Sequence, residues 1–194
     1  MSATFQLDLA FRGERDYVQG ADIFEALVEL TGWHGPVSLH FHRVMRFGVD
    51  AIEVTDARGA ATFDAVFWYG PLGARKCLGL RADPARPILK RKPYNEKSVV
   101  AGAVISPPRI ESSGPVDASF MERVLALDKA LLMRLFTPDR GSFRLLRLDL
   151  EYVPESPKEL VLIHRASMGS RFVRMEILAD GHSVGAVFCS LAIE

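Results

Sequence analysis

The sequence predicts an α+β protein built of two similar units in tandem, each an antiparallel sheet wrapping one long helix. Three observations carry this. Period-two apolar runs and one helix-like stretch follow each other as strand, helix, four strands, and that order occurs twice. A segment with three prolines and five cations, 83–97, separates the two occurrences. The last predicted strands carry related pentads, Gly73-Ala74-Arg75-Lys76-Cys77 and Gly185-Ala186-Val187-Phe188-Cys189. A recurring element order is the mark of a repeated unit, and a helix packed on an antiparallel sheet is an α+β layer arrangement. The expected division is 1–82, a linker at 83–97, and 98–194.

Phe5, Leu7, Leu9 and Phe11 alternate with polar residues and predict a half-buried strand. Ile23, Phe24, Leu27 and Leu30 fall at helical spacing over 20–32, and Gly32 can stop that helix. Val37, Leu39 and Phe41 alternate with Ser38, His40 and His42, a strand again. Segments 51–56 and 61–69 flank Ala57-Arg58-Gly59 and read as a hairpin. A further strand covers 76–80. After the linker, 99–105 is a β-prone run, and Pro107-Pro108 opens a turn-like stretch. Phe120, Val124, Leu127, Leu131 and Leu135 form the stripe of a helix over about 117–136, with Pro138 just beyond. Leu146, Leu148, Leu150 and Tyr152 alternate with Arg147, Asp149 and Glu151. A strand at 160–165 follows. Segments 172–178 and 184–193 flank Asp180-Gly181, a strong hairpin dipeptide.

The composition limits the function. Among 194 residues, 24 Lys and Arg balance 24 Asp and Glu. No cationic excess is left to track phosphates, so a nucleic-acid partner is not expected. Two cysteines make neither a disulfide framework nor a zinc site, and in apolar strands they read as core residues. The first residues lack a signal-peptide pattern and no apolar run is long enough to span a membrane, so the expectation is a soluble cytoplasmic protein. The cations Arg75, Lys76 and those of the linker are candidates to meet a phosphate or an acidic partner; a solvated linker is the plain alternative.

Gln19-Gly20-Ala21-Asp22-Ile23-Phe24-Glu25-Ala26-Leu27 resembles the helix opening of β-hydroxyacyl-ACP dehydratases. The segment 172–176, Asp180-Gly181 and the apolar strand after it resemble that family's final hairpin. The element order as a whole resembles a tandem, or double, hot-dog protein of the thioesterase and dehydratase superfamily. The resemblance implies a substrate carried as an acyl thioester of coenzyme A or acyl carrier protein, its chain in a tunnel by the helices. It also implies fatty-acid metabolism, no cofactor, and a homo-oligomer, most simply a homodimer.

In the dehydratases a His upstream of the helix works with a helix Glu or Asp. Glu25 stands where the acid falls. Phe11 stands where the His falls, and 12–17 hold none. Hot-dog thioesterases instead use a helix carboxylate to activate water while helix N-terminal amides polarise the carbonyl. Glu25 and Asp128, at matching positions of the two helices, are the catalytic candidates; the plain reading makes them helix carboxylates, Asp128 pairing with Arg123 or Arg134 on a solvated face. Gly20, Phe24 and His164 are the candidate substrate contacts, though His164 also reads as a satisfied core histidine. His40 and His42 share a strand face near His34, but no third ligand is evident, so no metal is expected. A non-catalytic hot dog that binds an acyl or small hydrophobic ligand is the competing reading.

Overall fold

A computed structural model of the chain describes residues 3–55, 61–136, 142–169 and 172–192. Two units form, Met1–Tyr94 and Asn95–Glu194.

The first unit contains β1 (Thr4–Gln6), β2 (Phe11–Arg12), α1 (Gly20–Thr31), β3 (Val37–Phe41), β4 (Phe47–Glu53), β5 (Ala65–Tyr69), β6 (Lys76–Pro87) and β7 (Arg91–Lys92). Five strands make an antiparallel sheet in the order β1-β4-β6-β5-β3. Helix α1 ends as expected: Gly32 takes the left-handed conformation, φ 60°, and its N–H reaches the carbonyl of Val28.

Three expectations need correction here. The N-terminal alternating run is not one strand. Thr4–Gln6 pairs with β4, and the chain then leaves to set Phe11 and Arg12 parallel to Arg91 and Lys92. Segments 51–56 and 61–69 are not hairpin partners, because β6 lies between β4 and β5. Period two identifies a strand but not its neighbour; β6 takes the middle with Leu78 and Leu80 fully buried, and Gly79 leaves room for the Phe63 ring. The Ala57-Arg58-Gly59 turn lies outside the described residues. The linker, finally, holds regular structure. β6 continues to Pro87, pairing there with β4 while β5 stops opposite Leu80, so Pro84 and Pro87 sit where a second partner strand is not required.

The second unit contains α2 (Glu96–Val100), β8 (Val104–Ser106), β9 (Arg109–Ser113), α3 (Phe120–Phe136), β10 (Ser142–Leu150), β11 (Glu159–Met168), β12 (Phe172–Ala179) and β13 (His182–Ala192). Its antiparallel order is β8-β9-β11-β12-β13-β10. The β-prone run at 99–105 is replaced by the end of α2, whose N-cap Asn95 accepts from the Ser98 N–H, and by a short β8. The turn-like stretch after Pro108 is a strand, β9, which reaches β11. Helix α3 starts at Phe120 because Ser119 and Glu122 form a reciprocal capping box: the Glu122 carboxylate accepts from the Ser119 N–H at 2.8 Å and the Ser119 hydroxyl from the Glu122 N–H at 3.2 Å. It packs on β9, β11 and α2. Asp180 and Gly181, φ 49° and 81°, turn β12 into β13 as the dipeptide predicts.

Each unit thus places four strands of its larger sheet after its long helix. Their pairings differ: β4 neighbours β6, whereas β11 neighbours β12. The element orders are similar but not the same, since β7 follows only in the first unit and α2 opens only the second, and the strand orders differ.

Candidate functional site

The buried stripe of α3 is Phe120, Val124, Leu127 and Leu131, and Asp128 lies in it. Four residues from Val124 and three from Leu131, its side chain shares their face. The expected solvated Asp128, paired with Arg123 or Arg134, is therefore corrected: Asp128 is 3% exposed. Its partner is Cys189 of β13, whose thiol donates to Asp128 Oδ2 at 2.9 Å. Oδ1 is buried with no hydrogen-bond partner among the described residues. Burial in an apolar layer disfavours the charge and pushes the carboxyl up to about 7, while the thiol hydrogen bond pulls it down. The Cys189 thiol is itself raised well above its ordinary value, by burial first and then by Asp128. It is a donor, not a thiolate nucleophile. Cys77 is likewise buried and pushed up to about 11, so both cysteines are core residues as expected.

Arg123 is also buried. It holds the carbonyl oxygen of Pro157 at 2.5 Å and that of Ser112 at 3.4 Å, tying α3 to the chain on either side. Burial lowers its proton affinity.

In the first unit, Glu25 sits half-buried in the second turn of α1. The charge buried on that helix is Asp22. Arg12 clamps it with two parallel hydrogen bonds of 2.7 Å, Nε to Oδ2 and Nη2 to Oδ1. Burial works against the Arg12 charge, but the Asp22 bond and the charges of Asp22 and Glu25 outweigh it and raise its proton affinity. Sequence reasoning missed this pair. One signal existed: Asp22 stands between Ala21 and Ile23, at the start of the helix's apolar stripe. Gly20 opens the helix, Phe24 is buried beneath it, and Phe11 is half-buried with the Arg91 guanidinium over its ring at 5.5 Å. The position expected for a catalytic His is thus a packed phenylalanine.

His164, on β11, stands edge-on to Phe136 at 5.9 Å. Its Nε2 is buried without a partner among the described residues, which corrects the reading of a satisfied histidine. His40 bonds to Ser38 and His42 to the Phe63 carbonyl. Among the described residues no group of three acidic, His or Cys side chains is arranged to hold a metal, and no helix is long and apolar enough to cross a membrane.

No family model matches the chain, and no curated protein sequence matches it. Solved structures do. A trans-AT polyketide synthase dehydratase domain from Brevibacillus brevis superposes with a TM-score of 0.54 at 11% identity, over 100% of this chain and 93% of that one. The dehydratase domain of PpsC from Mycobacterium tuberculosis, solved with C12:1-CoA, gives 0.53 at 8% identity, over 98% and 93%. The fold is the hot dog. A fusion dehydratase domain gives 0.50 at 15% identity, over 98% of this chain and 86% of that one. At these identities the likeness carries the architecture, and the chemistry has to be argued from the hot dog's own residues.

Proposed function

We propose that this hot-dog protein binds and processes acyl thioesters of coenzyme A or acyl carrier protein, with Asp128 as its acid–base group. The observation that carries the reading is Asp128 itself: a carboxyl deep in the long helix, pushed up to about 7 by burial, with one buried oxygen unpartnered among the described residues. Those are the attributes of a general acid–base group. Thioester hydrolysis suits a single carboxyl. The carboxylate takes a proton from the attacking water, the C–S bond breaks, and the carboxyl returns that proton to the leaving thiolate. Dehydration needs a base for the α-proton and an acid for the β-hydroxyl, and the expected imidazole is replaced by Phe11. The hydrolase is therefore favoured over the lyase. Glu25 is the second candidate, Gly20, Phe24 and His164 are candidate substrate contacts, the two units form a tandem hot dog, and the protein is a cytoplasmic homodimer.

The packed Phe11 favours a second reading, a non-catalytic hot dog that binds an acyl ligand. One experiment separates the two. The purified chain is assayed on a panel of acyl-CoA and acyl-carrier-protein substrates beside Asp128→Asn, which keeps the shape and removes the ionisation. Turnover should fall by roughly two to four orders of magnitude. Equal turnover by the variant would remove Asp128 from the mechanism and turn attention to Glu25→Gln. A silent wild type that still binds acyl-CoA in calorimetry would establish the binding module, and one that neither turns over nor binds would overturn both readings.

A further inference from the structure

Cys189 lies on an interior strand of the second unit's sheet. On β13 it pairs with Leu145 of β10 on one side and Val173 of β12 on the other. A side chain there is fixed by ladders on both flanks, and its thiol meets Asp128 Oδ2 at 2.9 Å. The other carboxyl oxygen, Oδ1, is as deeply buried and has no partner among the described residues. An unpaired buried acceptor is costly, so its retention beside a satisfied twin calls for an explanation. We infer that Cys189 is a positioning residue: by holding Oδ2 it fixes the carboxyl rotamer and leaves Oδ1 as the oxygen presented to a water or to a bound thioester. This rests on the acyl-thioester reading above for its function, while the geometry stands on its own.

The thiol sets more than a rotamer. It donates to the carboxylate and so favours the ionised form against burial, which favours the neutral one. Several charged groups on the elements packed against α3 hold partners other than Asp128. Glu96 of α2 bonds to Lys129, Glu111 of β9 to Arg109, and Arg165 of β11 to Glu176. His164 of β11 turns its ring to Phe136. On β13 the group against the carboxyl is Cys189.

The test compares wild type, Cys189→Ala and Cys189→Ser, each labelled at aspartate with carbon-13, by titrating the Asp128 carboxyl in NMR. Alanine removes the donor, and the apparent pKa of Asp128 should rise by about 1–2 units. Serine restores a donor, and the value should return toward wild type. If water merely entered the space left by alanine, the pKa would fall, since solvation favours the charge. A fall, no change, or serine behaving like alanine would overturn the inference. Cys189→Val, which fills the space without the donor, replaces alanine if alanine does not fold. On any thioester the wild type turns over, the acidic limb of the kcat/KM profile should move up in alanine and return in serine with KM little altered. A wild type silent on all thioesters would defeat the proposed function while the NMR titration still decides the role of Cys189.

Discussion

Burial pushes the Asp128 carboxyl up to about 7, and that ties stability to pH. Its folded value of about 7 lies above the ~3.9 of an aspartate in an unfolded chain. Between those values the folded state binds the extra proton. The stabilisation is therefore fully present below about pH 4 and is lost as pH rises through about 7, on the order of a few kcal/mol. Asp128→Asn cannot ionise and should flatten this dependence. Denaturant midpoints for the two proteins at pH about 5 and about 8 check it: the wild type should lose stability between them and the variant much less. Equal slopes would mean that Asp128 does not titrate there. The spacing of Asp128 between Val124 and Leu131 carried a signal of its burial, which the expectation of a solvated face passed over. Its thiol partner was not legible, since 61 residues separate Asp128 from Cys189.

Among the elements, β13 shows how a strand can require a glycine. Gly185 has φ 148° and lies so close to Asp149 that a Cβ would strike the Asp149 carbonyl oxygen. The β10–β13 ladder there pairs Gly185 with Leu150 and Ala186 with Asp149, so the clash cannot be relieved without parting the two strands. Gly185→Ala should cost about 2–3 kcal/mol, read as a lowered denaturant midpoint; an unchanged midpoint would show that the strands yield. The long helices were legible from their apolar stripes, with Gly32 marking the end of α1, while the Ser119–Glu122 box that starts α3 later than expected was not read. The strands were legible one by one, and their partners were not. Nothing in 51–56 or 61–69 announces that β6 will come between them.

For the whole molecule the charge balance has a physical counterpart. Cations of the former linker close ion pairs inside the first unit, Arg86 with Asp50 at 2.6 Å and Lys90 with Asp8 at 2.6 Å. These fasten 86–90 to strands and loops far earlier in the chain, so two of that segment's five cations do not extend freely toward an anionic partner. The apolar surface is a better lead to association. β1 and β8 each lie at an end of a sheet, with Phe5 exposed on one and Val104 and Ile105 exposed on the other. Open strand edges with apolar side chains favour pairing with another chain. The homodimer proposed above should then appear in light scattering as twice the mass of one chain at micromolar concentration, and a monomer there would count against it.

The sequence by itself determined the α+β class, the two long helices and the Asp180-Gly181 turn, because each is written in residues close together along the chain. Periodicity, caps and turn dipeptides are local, and local signals survive without knowledge of the fold. Only the tertiary structure decided the strand order, the fate of segment 83–97, the Arg12–Asp22 clamp and the meeting of Asp128 with Cys189. Each of these depends on which distant groups share a layer. Burial then sets what a buried carboxyl can do: Asp22 meets a guanidinium through two hydrogen bonds, and Asp128, which among the described residues meets a thiol, is pushed up to about 7.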